Sequence, residues 1–344
     1  MINKKRHSIK DIAAANGVSV TTVSFVLNGK AKEKKISKAV TDKILKYIDK
    51  IKYKPNQLAQ SLRTGKTKII VFMVEDFHYF FAKLATIIEN MAYKKGYKVL
   101  FCSNENKDDK SIELINIYKD IQIDGYIIIP SPGIMPKIKE LIEEGHPVIL
   151  FDRYFPELDT NYVVVNNKEA SYNATKHLIE NKFKNIGFIS TDVEQTQMTD
   201  RLKGYKEAIF EAGLNEWIAR FSINEKDNLS NKNLDFNIKK FLKQTPQLDA
   251  IYFATNYLAI SGLKVIKKHF PNYLNKIGII TFDDLDFFEF NTPTISAVSQ
   301  PHFEIAQSLM NLMLNLLNSK TKSSSITKIK LETELKIRSS SQPK

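Results

Sequence analysis

Residues 68–344 carry eight short apolar runs: KIIVFMV, YKVLFC, DGYIIIP, HPVILFD, NYVVV, KNIGFIS, LDAIYFA and IGIITFDD. Strands with one wet face alternate apolar and polar residues. Runs this continuously apolar, separated by roughly ten to twenty amphipathic residues, instead imply parallel strands covered by helices on both faces. Eight such units overfill one doubly wound sheet of usual size, so two sheets side by side are expected. The single cysteine, Cys102, lies inside one of the runs. It cannot form an intrachain disulfide, and as a small apolar side chain it belongs in the core.

Charge divides the chain a second way. Of the formal net charge of +13, residues 1–68 hold 17 Lys and Arg against 4 Asp and Glu, and the remaining 276 residues carry 34 of each sign. A basic head on a neutral body is the footprint of a polyanion-binding module. Within the head, Ser8 and Asp11 can form a capping box that opens a helix over IKDIAAAN. Asn16 and Gly17 tolerate positive φ and turn the chain. Ser19 can then cap a second helix, with Val18 as its hydrophobic staple. Val23, Val26 and Leu27 form the apolar face of that helix, and Thr21, Ser24, Phe25 and Asn28 lie opposite. Ser37 opens a third helix whose Val40, Ile44, Ile48 and Ile51 cover the other two. Two short helices joined by a Gly turn make a helix-turn-helix, whose second helix enters the DNA major groove.

The run SIKDIAAANGVSVTTVSFVLNGK, followed by YKPNQLAQSLRTGKT, closely resembles the head of the lactose-repressor and galactose-repressor family of bacterial transcription regulators. That resemblance implies an all-α helix-turn-helix head over residues 1–54, a hinge helix or linker over 55–67, and an effector-binding and dimerisation body over 68–344. The body would be a two-lobed α/β unit like a periplasmic sugar-binding protein, with two doubly wound parallel sheets and three crossovers. By the same resemblance Val20, Thr21 and Phe25 read bases, and Ser19, Thr22, Ser24, Asn28 and Ser37 hold phosphates, a division that suits hydroxyls and helix N-termini. Phe25 stands where the family often has an arginine. A phenyl ring cannot grip guanine through two hydrogen bonds but can contact thymine methyls; alternatively it folds back onto the head's own core. In the hinge, Leu62 would wedge into the minor groove, flanked by Ala59 and Arg63.

A ligand of such a body sits at the carboxyl ends of the strands. Asp152, Asn256 and Asp283 each follow an apolar run, and Arg201 lies in RLKGY, which matches the family's ligand-binding RLxGY/F motif. The resemblance adds Gln195 and Gln197, and places Phe80 and Phe81 where a ring can lie against a sugar. Carboxylates, amides, an arginine and aromatic faces suit a polyhydroxylated effector, because each hydroxyl both donates and accepts. Asp284 has a second reading as a cap for the following turn, and Phe80 or Phe81 as core. Tyr257 and Thr281 depart from the family pattern, where Asp and Gly are usual.

No Walker loop, GxSxG, HExxH or GxGxxG occurs, and the six histidines are scattered without metal-ligand spacing. Neither catalysis, a cofactor nor a metal is expected. MINKKRHS lacks a following apolar stretch, and no segment approaches the ~18 apolar residues of a membrane span, so a cytoplasmic protein with no membrane partner is expected. The expectation is a repressor-type regulator controlled by a small molecule, binding a pseudo-palindromic double-stranded operator as a homodimer. A plain sugar-binding protein and a sugar-active enzyme on the same fold are the alternatives.

Overall fold

The computed structural model describes residues 7–53, 65–77, 79–222, 232–274, 276–319 and 325–343. The chain divides into two compact units, residues 1–67 and 68–344.

In the first unit, α1 (Ile9–Asn16) opens on the Ser8–Asp11 capping box and stops at Gly17, whose φ is +67°. Gly17 alone takes the left-handed turn. Asn16 stays helical and buried, its side-chain amide donating to the Ile12 carbonyl at 2.8 Å. Ser19 caps α2 (Val20–Leu27) by accepting from the Thr22 N–H at 3.0 Å, and Ser37 caps α3 (Lys38–Lys50). Ile12, Ala13, Val23, Val26 and Ile44 close the core between the three helices.

The second unit is built on two six-stranded sheets. Its first lobe takes β1 (Ile69–Val74), α4 (Tyr79–Lys94), β2 (Lys98–Ser103), α5 (Asp108–Asp120), β3 (Gly125–Ile128), α6 (Met135–Glu143), β4 (Val148–Phe151) and β5 (Asn161–Val165). The second takes α7 (Asn167–Glu180), β6 (Ile186–Thr191), α8 (Thr196–Glu211), β7 (Trp217–Phe221), α9 (Lys232–Gln244), β8 (Ala250–Phe253), α10 (Asn256–His269), β9 (Gly278–Phe282), α11 (Asp286–Phe290) and β10 (Ser296–Ser299). The chain then returns to the first lobe through α12 (His302–Asn318) and β11 (Lys328–Leu331), and ends in the second with β12 (Glu334–Lys336). Lobes are therefore joined at three crossovers. Sheet orders are β2-β1-β3-β4-β5-β11 and β7-β6-β8-β9-β10-β12, parallel throughout except for the β10–β12 pair.

Every one of the eight apolar runs is a strand, and β1 shows why continuous apolarity is needed. Ile70, Phe72 and Val74 enter one core while Val71 and Met73 enter the other, so neither face of the strand meets water. Cys102 is buried in β2, where desolvation pushes its thiol pKa up. Among the described residues no helix is long and apolar enough to cross a membrane.

The second lobe is organised by a close crossing of α7 and α8. A Cβ at Gly204 would stand 2.1 Å from the Lys168 carbonyl oxygen and 2.7 Å from the Tyr172 nitrogen. Beside it, the Ser171 hydroxyl donates to the Arg201 carbonyl at 2.5 Å. The glycine of RLKGY is thus a packing residue that lets α8 approach α7, and Tyr205 of the same motif is buried with its hydroxyl donating to the Ile186 carbonyl. Backbone atoms cannot yield as flexible side chains do, so Gly204→Ala is expected to destabilise the fold by ~2–3 kcal/mol. Urea unfolding measures this directly, and an unchanged midpoint would mean that the helices separate freely.

Candidate functional site

The outward side of α2 carries Val20, Thr21 and Asn28 exposed, while Thr22, Ser24 and Phe25 are half-buried. Ser19 and Ser37 are exposed at the N-caps of α2 and α3, where free N–H groups and the helix dipole favour anions. Phe25 stands outside the head's core cluster. The Lys34 ammonium lies 5.6 Å from its ring centroid, which holds the ring at a basic surface. Val23 and Val26, not Phe25, are the residues of α2 buried in that cluster. Ala59, Leu62 and Arg63 lie outside the described residues.

In the body, strand order reverses between β1 and β3 and again between β6 and β8. Each reversal leaves a crevice at the carboxyl ends of its strands. Arg201, from α8 after β6, has a side chain 3% exposed. Its Nε donates to Asn167 Oδ1 at 2.9 Å and its Nη1 to the Ala254 carbonyl at 2.8 Å. The guanidinium lies 3.6 Å from the Phe282 ring centroid, and Asp283 Oδ2 is 3.7 Å from Nη1. Asn256 begins α10 two residues after Ala254, half-buried beside Tyr257. Burial, then Glu75 of the other lobe, push the Tyr257 hydroxyl up to about 12, so it remains a donor. Gln197 is buried with its Oε1 lacking a partner among the described residues.

Asp152 and Asp283 occupy matching places, immediately after β4 and β9, at φ +66° and +70°. Their N–H groups bond to Val163 and Val298 of the adjacent strands. Left-handed backbone is uncommon outside glycine and Asn or Asp, and here it turns each carboxylate off the end of its sheet. Burial raises the Asp152 pKa to about 6, against the pull of Arg153 and Arg201 and with the push of Asp283 and Glu75. The Gln300 amide donates to Asp283 Oδ1 at 2.6 Å. Phe80 and Phe81 are both half-buried and pack on Phe151, with centroids 6.4 and 6.5 Å away. Asp284 neither faces this group nor caps a helix. Leu285 holds the cap position of α11, while Asp284 takes a bidentate bond from Arg338 and an ion pair from Lys336, which hold its pKa down against desolvation.

Arg153 joins this candidate group, and sequence reasoning did not single it out. Its side chain is 3% exposed and binds the Pro130 carbonyl, Glu75 and Asn106 in the first lobe and Gln195 Oε1 in the second, at 2.8–3.0 Å. Gln195 returns a bond to Asn106 at 2.9 Å, and the Tyr154 N–H meets Thr196 Oγ1 at 3.3 Å. The available signal was its place next to Asp152 at a strand end. Among the described residues no group of three or more His, Cys, Asp or Glu is placed to hold a metal ion.

Residues 8–56 match the family described as bacterial regulatory proteins, lacI family. Residues 66–337 match the periplasmic binding proteins and sugar binding domain of LacI family. The chain belongs to the LacI family of bacterial regulators. It is similar to the catabolite control protein A of Priestia megaterium, with 28% identity over 324 residues, 94% of this chain and 96% of that protein. It is also similar to the HTH-type transcriptional repressor PurR of Aliivibrio salmonicida (strain LFI1238), with 25% identity over 318 residues, 91% of this chain and 93% of that one. Among solved structures, the lac repressor dimer bound to operator and the anti-inducer ONPF superposes with a TM-score of 0.83. At 16% identity, and covering 98% of this chain and 100% of that one, this match reports the shared fold.

As a LacI-family chain the protein is a DNA-binding transcription regulator. Among its buried charges, Asp152 has a pH signature. Its folded pKa of about 6 lies above the unfolded value near ~4, so the folded state binds the extra proton between these values. Stability from this group is therefore full below about pH 4 and is lost as pH rises through about 6. Asp152→Asn removes the loss. Relative to the parent, the variant is expected to gain up to ~2–3 kcal/mol between pH 4 and 7 in urea unfolding, and a pH-independent difference would place the Asp152 carboxylate in water.

Proposed function

We propose that this chain is a repressor that binds a pseudo-palindromic operator as a homodimer, and that a small molecule held between its lobes sets operator affinity. A sugar or sugar derivative is the proposed effector. The observation that carries the reading is the convergence of Asp152, Arg201, Asn256 and Asp283 at the strand ends, where Arg201 is buried, anchored by two hydrogen bonds and stacked on Phe282. Carboxylates beside a fixed guanidinium offer acceptors and donors together, as a hydroxyl-rich ligand requires. Gln195, Gln197, Phe80 and Phe81 complete the proposed lining.

In the head, Val20, Thr21 and Phe25 are proposed to read base edges, and Ser19, Thr22, Ser24, Asn28 and Ser37 to hold phosphates. Leu62, with Ala59 and Arg63, is proposed to act in the minor groove from residues 55–67. The relatives named repressors and the lac repressor dimer on its operator support a two-fold complex acting on DNA, and a cytoplasmic location is proposed with it. To work as a switch, the effector must bind the DNA-competent and DNA-incompetent arrangements unequally.

Two substitutions separate the body's role from the head's. Arg201→Ala is expected to keep operator binding but lose any change in operator affinity on adding sugars, measured by fluorescence anisotropy; a retained response removes Arg201 from the site. Phe25→Arg is expected to change the preferred operator bases toward guanine at one position per half-site, worth ~1–3 kcal/mol of discrimination. Selection from a randomised duplex library reads this out, and an unchanged motif would show that Phe25 reads no base.

A further inference from the structure

Residues 237–276 carry seven lysines and one histidine against a single carboxylate, Asp249, in a body that is neutral as a whole. Asp249 is committed to the backbone, accepting from the Lys184 and Asn185 N–H groups at 2.9 Å. Six of the lysines lie on α9 and α10, which pack against each other in the second lobe. Leu234, Ile238 and Leu242 bury one side of α9, and Leu263 and Ile266 one side of α10. Lys239 and Lys243, one turn apart on α9, and Lys264 and Lys268, one turn apart on α10, are left on the outer side, Lys239 half-buried and the others exposed. His269, the last residue of α10, joins the two rows. Desolvation, and then Lys239, Lys268 and Lys243, push its pKa down.

Among the described residues none of Lys239, Lys243, Lys264 and Lys268 forms an ion pair. Elsewhere in the body Lys119, Lys137, Lys168, Lys206 and Lys330 each meet a carboxylate. The last turn of a helix favours cations, which accounts for Lys243, Lys268 and His269. Lys239 and Lys264 lie in helix interiors, each with a like charge one turn on, where repulsion costs stability. A polyanion laid across the rows removes that repulsion and releases its own counterions. Lysine is a flexible point charge, depleted at protein–protein interfaces and common at phosphates, and no arginine occurs in residues 221–337. A duplex presents one negative charge per about 1.7 Å of axis, so a row ~6 Å long faces ~3 of them.

We propose that this face of the second lobe is a sequence-independent binding surface for duplex DNA, separate from the head, on which Lys239, Lys243, Lys264 and Lys268 neutralise phosphates. It reads no bases and adds a contact to DNA that residues 1–67 do not supply.

The test acetylates the full chain with and without an excess of long, random-sequence duplex and locates the modified lysines by mass spectrometry. The four lysines are expected to react at least about threefold more slowly with duplex present, an effect that fades as salt is raised. This arm uses the parent and does not depend on the folding of a variant. Lys239→Gln, Lys243→Gln, Lys264→Gln and Lys268→Gln combined are expected to weaken binding of the same duplex about tenfold or more at low salt and to lower the slope of log affinity against log salt by about 3–4. The thermal midpoint is expected to equal or exceed the parent's, since like charges have been removed. Unprotected lysines in the parent, or parental affinity and slope in the variant, overturn the proposal. Stronger protection by poly-L-glutamate than by duplex at equal charge concentration overturns nucleic acid as the partner.

Discussion

A guanidinium cannot be taken out of water unless its N–H groups are met, because an unpaired buried charge costs several kcal/mol. Arg201 meets that demand at Nε and Nη1 by drawing on three places in the fold: Asn167 at the start of α7, the Ala254 carbonyl past β8, and the Phe282 ring with the adjacent Asp283 at the end of β9. The close α7–α8 crossing at Gly204, and the Ser171 bond to the Arg201 carbonyl, set the helix that presents it. The second lobe's binding edge is therefore a consequence of how one charge is solvated by protein.

The first lobe solves the same problem with Arg153, but one of its acceptors, Gln195, belongs to the other lobe. Moving the lobes apart would strip that bond and the Tyr154–Thr196 contact. The crossovers are coupled as well: Asn166 in the first bonds to Leu331, Glu332 and Thr333 in and beside the third. Discrete polar contacts of this kind give two lobe arrangements separate energies. A ligand that binds between the lobes can then shift their balance, by no more than its difference in affinity for the two.

Much of this fold could be read before any coordinates. The eight apolar runs are strands because burial on both faces leaves a mark that periodicity detects, and the caps at Ser8, Ser19 and Ser37 are local signals. The four strands that escaped notice have reasons: WIARF of β7 interrupts its apolarity with Arg220, SAVS of β10 is short and small, KIKL of β11 alternates lysine with apolar residues at a sheet edge, and ELK of β12 is a three-residue antiparallel edge. Motif likeness pointed to Arg201 but not to the division of RLKGY into one site residue and two packing residues. Arg153 and Gln300 were not singled out, since their hydrogen bonds reach residues far away in the chain, which no local pattern encodes.

Under the proposed function, ligand occupancy between the lobes and DNA binding by the head are the same equilibrium seen from two sides. Thermodynamic linkage makes that claim sharp, because each ligand must alter the other's affinity by the same factor. The direct measurement is the dissociation constant of a bound sugar, by calorimetry, with and without a saturating operator duplex. A shift equal to the change that the sugar itself causes in operator affinity is predicted. A sugar dissociation constant indifferent to operator would contradict the account.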